Sequence, residues 1–403
     1  MAVRTAEPAD PSVQRLAVRT TQAAFAIALA HGVTDAYVGF LAPLLPDLMD
    51  KHGLSIARAA SLAMLLSLAT SFPQPFLGYL ADRVGRKPFV LLGPALSAVF
   101  LSLIGLAPSY PLLVALLLVG GLGAAAFHPP GASLATRVAD GRGSGVRLSI
   151  FSFGGAAGYA VGPFLAVTTV AAFGLGGLWL AMIPGLVLCL ALWPLVPGGA
   201  ADGRAPRPPM PLEVIRTLKG PLGLLFGISA LSAFVQRTFL TLEPIIVDQA
   251  GGSQNARALA LTLYLGAQAL GTLTSGVLTD RMDRGRLMVI LTLLGAPAHF
   301  LALTLPPGSP GGVVAILAAG FLNMALLPPI VVMAQELLPT GAAVGAGIVM
   351  GLAWSVASVA LMVPGWLGDL YGPVRAGQLC APVLLLGTLL ALHPALRRGP
   401  AAG

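Results

Sequence analysis

The sequence predicts an all-α membrane protein of twelve transmembrane helices, arranged as two pseudo-symmetric six-helix bundles. Three observations lead there. Of 403 residues, 56% are hydrophobic and 9% charged, against roughly 25% charged in a soluble domain, so water is not the main solvent. Apolar stretches of about 20 residues recur along the chain, each long enough to cross a hydrocarbon core of roughly 30 Å as a helix. Short polar motifs also recur at one near-constant displacement.

The elements follow in order. A polar tail, 1–20, carries Arg4, Glu7, Asp10, Arg15 and Arg19; it shows no short apolar core before a small-residue cleavage site, so no cleaved leader is expected. Six spans are expected at 23–46, 59–81, 88–107, 111–135, 148–170 and 177–197, forming a first bundle over 21–197. The basic, Pro-rich segment GGAADGRAPRPPMPLEVIRTLKG (198–220) reads as a linker. Six further spans at 221–247, 258–279, 287–306, 312–335, 342–367 and 377–396 form a second bundle over 221–396, and a tail over 397–403 follows. Lipid offers backbone groups no hydrogen-bond partners, so each span must be helical. The 50 glycines and 34 prolines suit helices that pack closely through small residues.

The net charge of +8 is a topology signal. All but five of the 23 Lys and Arg (Lys51, Arg58, Arg237, Arg257 and Arg375) fall on the side that holds both tails. By the positive-inside rule that side is cytoplasmic, so both termini are expected in the cytoplasm, and the basic excess leaves no role for nucleic acid. Cys189 and Cys380 lie in spans, where small apolar packing rather than a disulfide is expected. No phosphate-binding GxxxxGK[ST] occurs and the five histidines are scattered, so the sequence suggests no ATP-driven pump, no enzyme, no cofactor and no metal site. A monomer in the bilayer, with a small-molecule substrate and protons as its other partners, is the expectation.

The chain repeats itself. GYLADRVGRK (78–87) recurs as GVLTDRMDRGR (276–286), displaced by 198 residues, and Pro46, Asp50, Gly53 and Ser55 match Pro244, Asp248, Gly251 and Ser253 at the same offset. Pro129 and Pro130 recur as Pro328 and Pro329, displaced by 199. Parallel six-span repeats are the organisation of transporters that rock about a site between their halves.

GYLADRVGRK resembles the loop signature GxLaDrxGrk of the major facilitator superfamily, through Gly78, Leu80, Asp82, Arg83, Gly85, Arg86 and Lys87. AHGVTDAYVGFLAPLLPDL (30–48), GLGAAAFHPPGA (121–132) and SIFSFGGAAGYAVGP (149–163) further resemble the fosmidomycin-resistance-like transporters within it. The resemblance implies a cytoplasmic gate at Gly78, Asp82, Arg83, Gly85 and Arg86, repeated at Asp280 and Arg281. Asp82 would there meet the N-terminal dipole of the eleventh span, near Gly341, with Glu336 joining the closure. Gly158, Gly162 and Pro163 follow the GxxxGP of exporter-type antiporters, though Leu165 and Ala166 stand where a Gly pair might follow. Leu117 stands where many proton-coupled relatives carry arginine, so any proton path must use other groups.

Those groups are His31, Asp35 and His128. His31 and Asp35, spaced i, i+4, share one face of the first span, where an ionised group is costly unless paired or wet. His128 joins them because spans one, four, seven and ten line the cavity in the superfamily. An imidazole titrates near pH 6.5, which suits proton exchange; the structural alternative is that His31 only holds Asp35 and that His128 only bonds a carbonyl freed by a proline. Pro129, Pro130, Pro328, Pro329, Pro163, Gly158 and Gly162 are expected to bend helices. For substrate, Arg237 is the one basic residue inside a span and suits an anionic group, unless it pairs with Glu243 or Asp35. Asn323, Gln268 and Tyr37 would add polar contacts, the amides being equally suited to joining helices. His299 and His393 are expected to meet water. The expected function is proton-coupled export of a small polar or anionic compound by alternating access, such as a fosmidomycin-like antibiotic. The alternatives are proton-coupled import of an organic anion, or a non-transporting receptor or channel on the same scaffold.

Overall fold

Twelve helices long and apolar enough to cross a membrane run through the described residues: α1 (Thr20–His52), α2 (Ile56–Val84), α3 (Arg86–Leu106), α4 (Tyr110–Ala135), α5 (Ile150–Phe173), α6 (Leu175–Leu192), α7 (Pro221–Gln249), α8 (Gln254–Arg281), α9 (Arg284–Ala302), α10 (Pro310–Leu337), α11 (Gly345–Tyr371) and α12 (Pro373–Ala391). The computed structural model describes residues 11–137, 144–198, 218, 220–338 and 342–397, so most of the expected linker and both chain ends lie outside it. The helix that becomes α1 already begins at Pro11, inside the segment read as a tail. Six helices form each of two pseudo-symmetric bundles.

The repeated residues have a local purpose. Gly53 and Gly251 adopt positive φ, 60° and 79°, which a side chain rarely tolerates. Two residues later Ser55 and Ser253 accept hydrogen bonds from the amides of Arg58 and Ala256, capping α2 and α8. The motif is thus a turn and a cap, placed at the same connection in each half.

Small residues hold the helices together, because lipid supplies no hydrophobic drive for one helix to meet another. A Cβ at Gly154, Gly158 or Gly162 of α5 would strike the backbone of Ala28, Gly32 or Ala36 of α1. In the second half Gly271 and Gly320 bring α8 and α10 together in the same way, against the backbones of Phe321 and Tyr264. Outward-facing Leu190, Leu270, Val314 and Leu389 are all exposed, as lipid-facing side chains should be. Cys189 and Cys380 are free and buried.

The helix of α4 passes through Pro129 and Pro130 without interruption, whereas α10 breaks at Leu326, just before Pro328 and Pro329. Pro129 rests on Gly78 of α2, where an added Cβ would come within 2.9 Å of the proline Cβ, and Gly93 of α3 lies against Gly123 and Phe127 of the preceding turns. Gly158 and Gly162 act as contact surfaces, in an α5 that stays helical through Pro163.

The ties recorded between the halves gather on the side away from the chain termini, here the far side. Arg257 of α8 meets Asp47 of α1 at 2.9 Å, and Gln254 donates to the same carboxylate at 2.7 Å. Asp369 at the far end of α11 accepts from the amides of Ile56 and Ala57 at the start of α2, at 2.7 and 3.3 Å. Gly365 and Gly368 of α11 pack on Ile56, Ala57 and Ala60. Nearer mid-span, Thr262 donates to the Ala160 carbonyl.

Candidate functional site

The three titratable residues of the first half meet. His31 Nε2 lies 3.3 Å from Asp35 Oδ2, and His128 Nε2 lies 3.4 Å from Asp35 Oδ1. The carboxylate is therefore shared between a ring on its own helix and one on α4. The His31 ring stacks on Phe151 of α5 at 4.2 Å, and its Nδ1 is 2.9 Å from the Phe151 carbonyl.

A carbonyl oxygen only accepts, so this contact favours the tautomer with its hydrogen on Nδ1. Nε2 then faces the Asp35 carboxylate, and a proton held between them, as imidazolium on His31 or as the neutral acid on Asp35, makes the contact favourable. The three ligand-type atoms lie within 4.8 Å of one another, a grouping that could hold a cation, although the spacing of the histidines along the chain suggested no metal site.

Gly155 makes the site possible, and the sequence reading missed it. A Cβ there would fall 2.5 Å from His31 Nε2 and 2.8 Å from Asp35 Oδ2. Its signal was present in the GGAAG run of α5, which was read for bending rather than for clearance.

In the second half, Arg237 of α7 donates from Nη1 to the Ser67 hydroxyl of α2, and its guanidinium lies 5.8 Å from the Trp354 ring centroid of α11. Neither suggested carboxylate pairs with it: among the described residues no Asp or Glu lies within ion-pair distance of Arg237, and its Nε is buried without a partner. Tyr159 of α5, also missed, stands within electrostatic reach of both Arg237 and Asp35.

Gln268 and Asn323 are engaged in an interhelical chain. Gln236 donates to Gln268 at 3.0 Å, Gln268 to Asn323 at 3.2 Å, and Asn323 to the Ser232 carbonyl at 3.0 Å. Ser232, Gln236 and Asn323 also line a small cavity with Ser229, Met324 and Trp354, so the chain joins helices and presents polar edges at once.

Several expectations are corrected. Tyr37 is buried, and its hydroxyl donates to the Ala181 carbonyl at 2.5 Å. Two residues beyond Asp35 is roughly 200° around the helix, so Tyr37 braces α1 against α6 and does not face the cluster. His299 does not meet water: it is fully buried, bonded to Tyr264 at 2.9 Å and to the Gly295 carbonyl at 2.8 Å. Asp82 bonds Arg86, one turn on, at 2.7 Å, and the start of the eleventh span at 339–341 lies outside the described residues. A contact of the same kind is present on the far side, where Asp369 meets the N-terminal amides of α2. Asp280 and Arg281 are exposed, while Arg284 pairs with Glu336 within its own half at 2.7 Å. Arg83 stacks on Tyr79 at 4.9 Å, and Gly85 takes φ 106° between α2 and α3.

Fold and site together describe a two-bundle membrane transporter with buried polar groups in each half. The chain belongs to the Major Facilitator Superfamily, whose model matches residues 27–225 and 225–402. It is 26% identical to the fosmidomycin resistance protein of Escherichia coli (strain K12), over 92% of each chain. It is 24% identical to the multi-drug resistance efflux pump PmrA of Streptococcus pneumoniae serotype 4, over 86% of this chain and 87% of that one. Among solved structures it is similar in fold to a bacterial homolog of the human lysosomal transporter Spinster in an inward-facing, unoccupied conformation. That match has a TM-score of 0.77 at 16% identity, covering 95% of this chain and 99% of the other.

Proposed function

We propose that this transporter exports a small anionic compound from the bacterial cytoplasm in exchange for protons, with both termini cytoplasmic and the far side periplasmic. The observation that carries the reading is the division of charge between the halves. A carboxylate shared by two imidazoles, one contact of which a proton makes favourable, stands in the first half, and a guanidinium without a carboxylate partner stands in the second. A cation held in a membrane interior without a counter-charge is costly, and an anionic substrate supplies what is missing by bidentate hydrogen bonds. Tyr159, within reach of both charges, lets occupancy of one site be felt at the other. The relatives' names, a fosmidomycin resistance protein and an efflux pump, support export, and the basic cytoplasmic loops support the orientation.

The test uses purified protein in vesicles with an imposed pH gradient and fosmidomycin as the anionic probe. Substrate movement should follow the gradient. Asp35→Asn, which keeps shape and loses titration, should abolish gradient-driven movement while retaining probe binding; Arg237→Gln should lose binding. Gradient-driven movement at the parent rate by Asp35→Asn would sink the coupling assignment.

A further inference from the structure

Glu243 lies on α7, six residues beyond Arg237 toward the far side. It is 1% exposed, and both carboxylate oxygens are buried without a hydrogen-bond partner. Gln236 stands seven residues earlier, roughly 700° of helical rotation, which returns to within about 20° of the same face. That face meets α8: Gln236 donates to Gln268, and Phe239 stacks on Tyr264 at 4.1 Å. Glu243 therefore looks into the interior of the second half, away from the Asp35 cluster. One turn to either side of it stand Phe239, Leu240, Ile246 and Val247, all buried.

The charged and titratable groups of the surrounding helices are committed elsewhere. Arg257 of α8 is engaged by Asp47 and Asp248, and Lys51 of α1 donates to the Gly105 carbonyl. Tyr264 of α8 and His299 of α9 bond one another, and Arg375 of α12 bonds Gln378. Asp369 of α11 holds the start of α2, and Glu336 of α10 holds Arg284. Asp50 and Arg58 are exposed at the far-side rim, with His52 beside Lys51. None of these forms an ion pair or hydrogen bond with Glu243.

An ionised carboxylate so placed would have neither counter-charge nor donor, and such groups neutralise instead of remaining charged. We infer that Glu243 is a proton-binding site of the second half, separate from the Asp35 cluster and held as the neutral acid. This holds whatever the substrate and whichever way it moves.

Infrared spectroscopy of the protein in lipid vesicles reads the proton directly, through the carbonyl stretch of a neutral carboxylic acid. At neutral pH the parent protein should show such a band with a component that is lost in Glu243→Gln and retained in Asp35→Asn. Glu243→Met serves the same subtraction if the Gln variant does not insert. A parent protein without the band, or a band unchanged by both substitutions at Glu243, would overturn the inference.

Discussion

Removing the charge of Asp47 should open the far side. Its carboxylate receives Arg257 Nη1 at 2.9 Å and Nη2 at 3.5 Å, and Gln254 at 2.7 Å. Arg257 is 5% exposed at its side chain and Asp47 19%, so the pair is screened far less than a surface one. Breaking a fully buried pair costs about 3–5 kcal/mol. Partial exposure of Asp47, the second carboxylate of Asp248 at 3.7 Å and the Pro43 carbonyl at 3.4 Å reduce that to about 2 kcal/mol for Asp47→Asn. Because the partners sit on opposite halves, the whole cost falls on the far-side-closed form. At 1.4 kcal/mol per factor of ten, the closed-to-open ratio should fall roughly 30-fold. Exposed Asp50 and Asn255 flank the seam and can be replaced by Cys for spin labelling, with Cys189 and Cys380 changed to Ala. Asp47→Asn should shift the measured distances toward a longer population, and the exchange Asp47→Arg with Arg257→Asp should restore the short one. Distances unchanged by Asp47→Asn would refute the assignment of this pair as a tie between halves.

Two further outcomes follow from the cluster. Gly155→Ala should cost transport about tenfold or more, because His31 Nε2 must retreat by about 0.9 Å from a new Cβ at 2.5 Å, an overpacking that costs about 1–3 kcal/mol. Gly176→Ala, with nothing within 4 Å of its Cβ, is the control, and equal transport by the two variants would show that Gly155 gives no needed clearance. His128→Gln keeps hydrogen-bonding capacity but cannot gain a proton, so it should flatten the pH dependence of vesicle transport that the parent shows. Loss of expression with a parent-like pH profile would instead make His128 a structural partner in α4.

Much of the fold was legible in the sequence because lipid leaves the backbone few choices. A chain with 9% charged residues and twelve apolar runs must form helices, and a repeat with one offset must form two like bundles. The i, i+4 pairing of His31 with Asp35 was legible for the same reason: helical geometry makes it a local fact. What the residues alone could not carry is where helices cross. His128 lies 93 residues beyond Asp35 along the chain and was grouped with it only through the family resemblance, and the approach of α1, α4 and α5 gives Gly155 its meaning. The same holds for Arg237 and Glu243, which looked like partners six residues apart. Helical rotation places one between the halves and the other inside its own bundle, each without an opposite charge. Tyr37 fails as a cavity residue by the same rotation. Periodicity and composition act through neighbours along the chain, whereas a buried charge is satisfied or left alone by helices far away in sequence, and that only the packed structure decides.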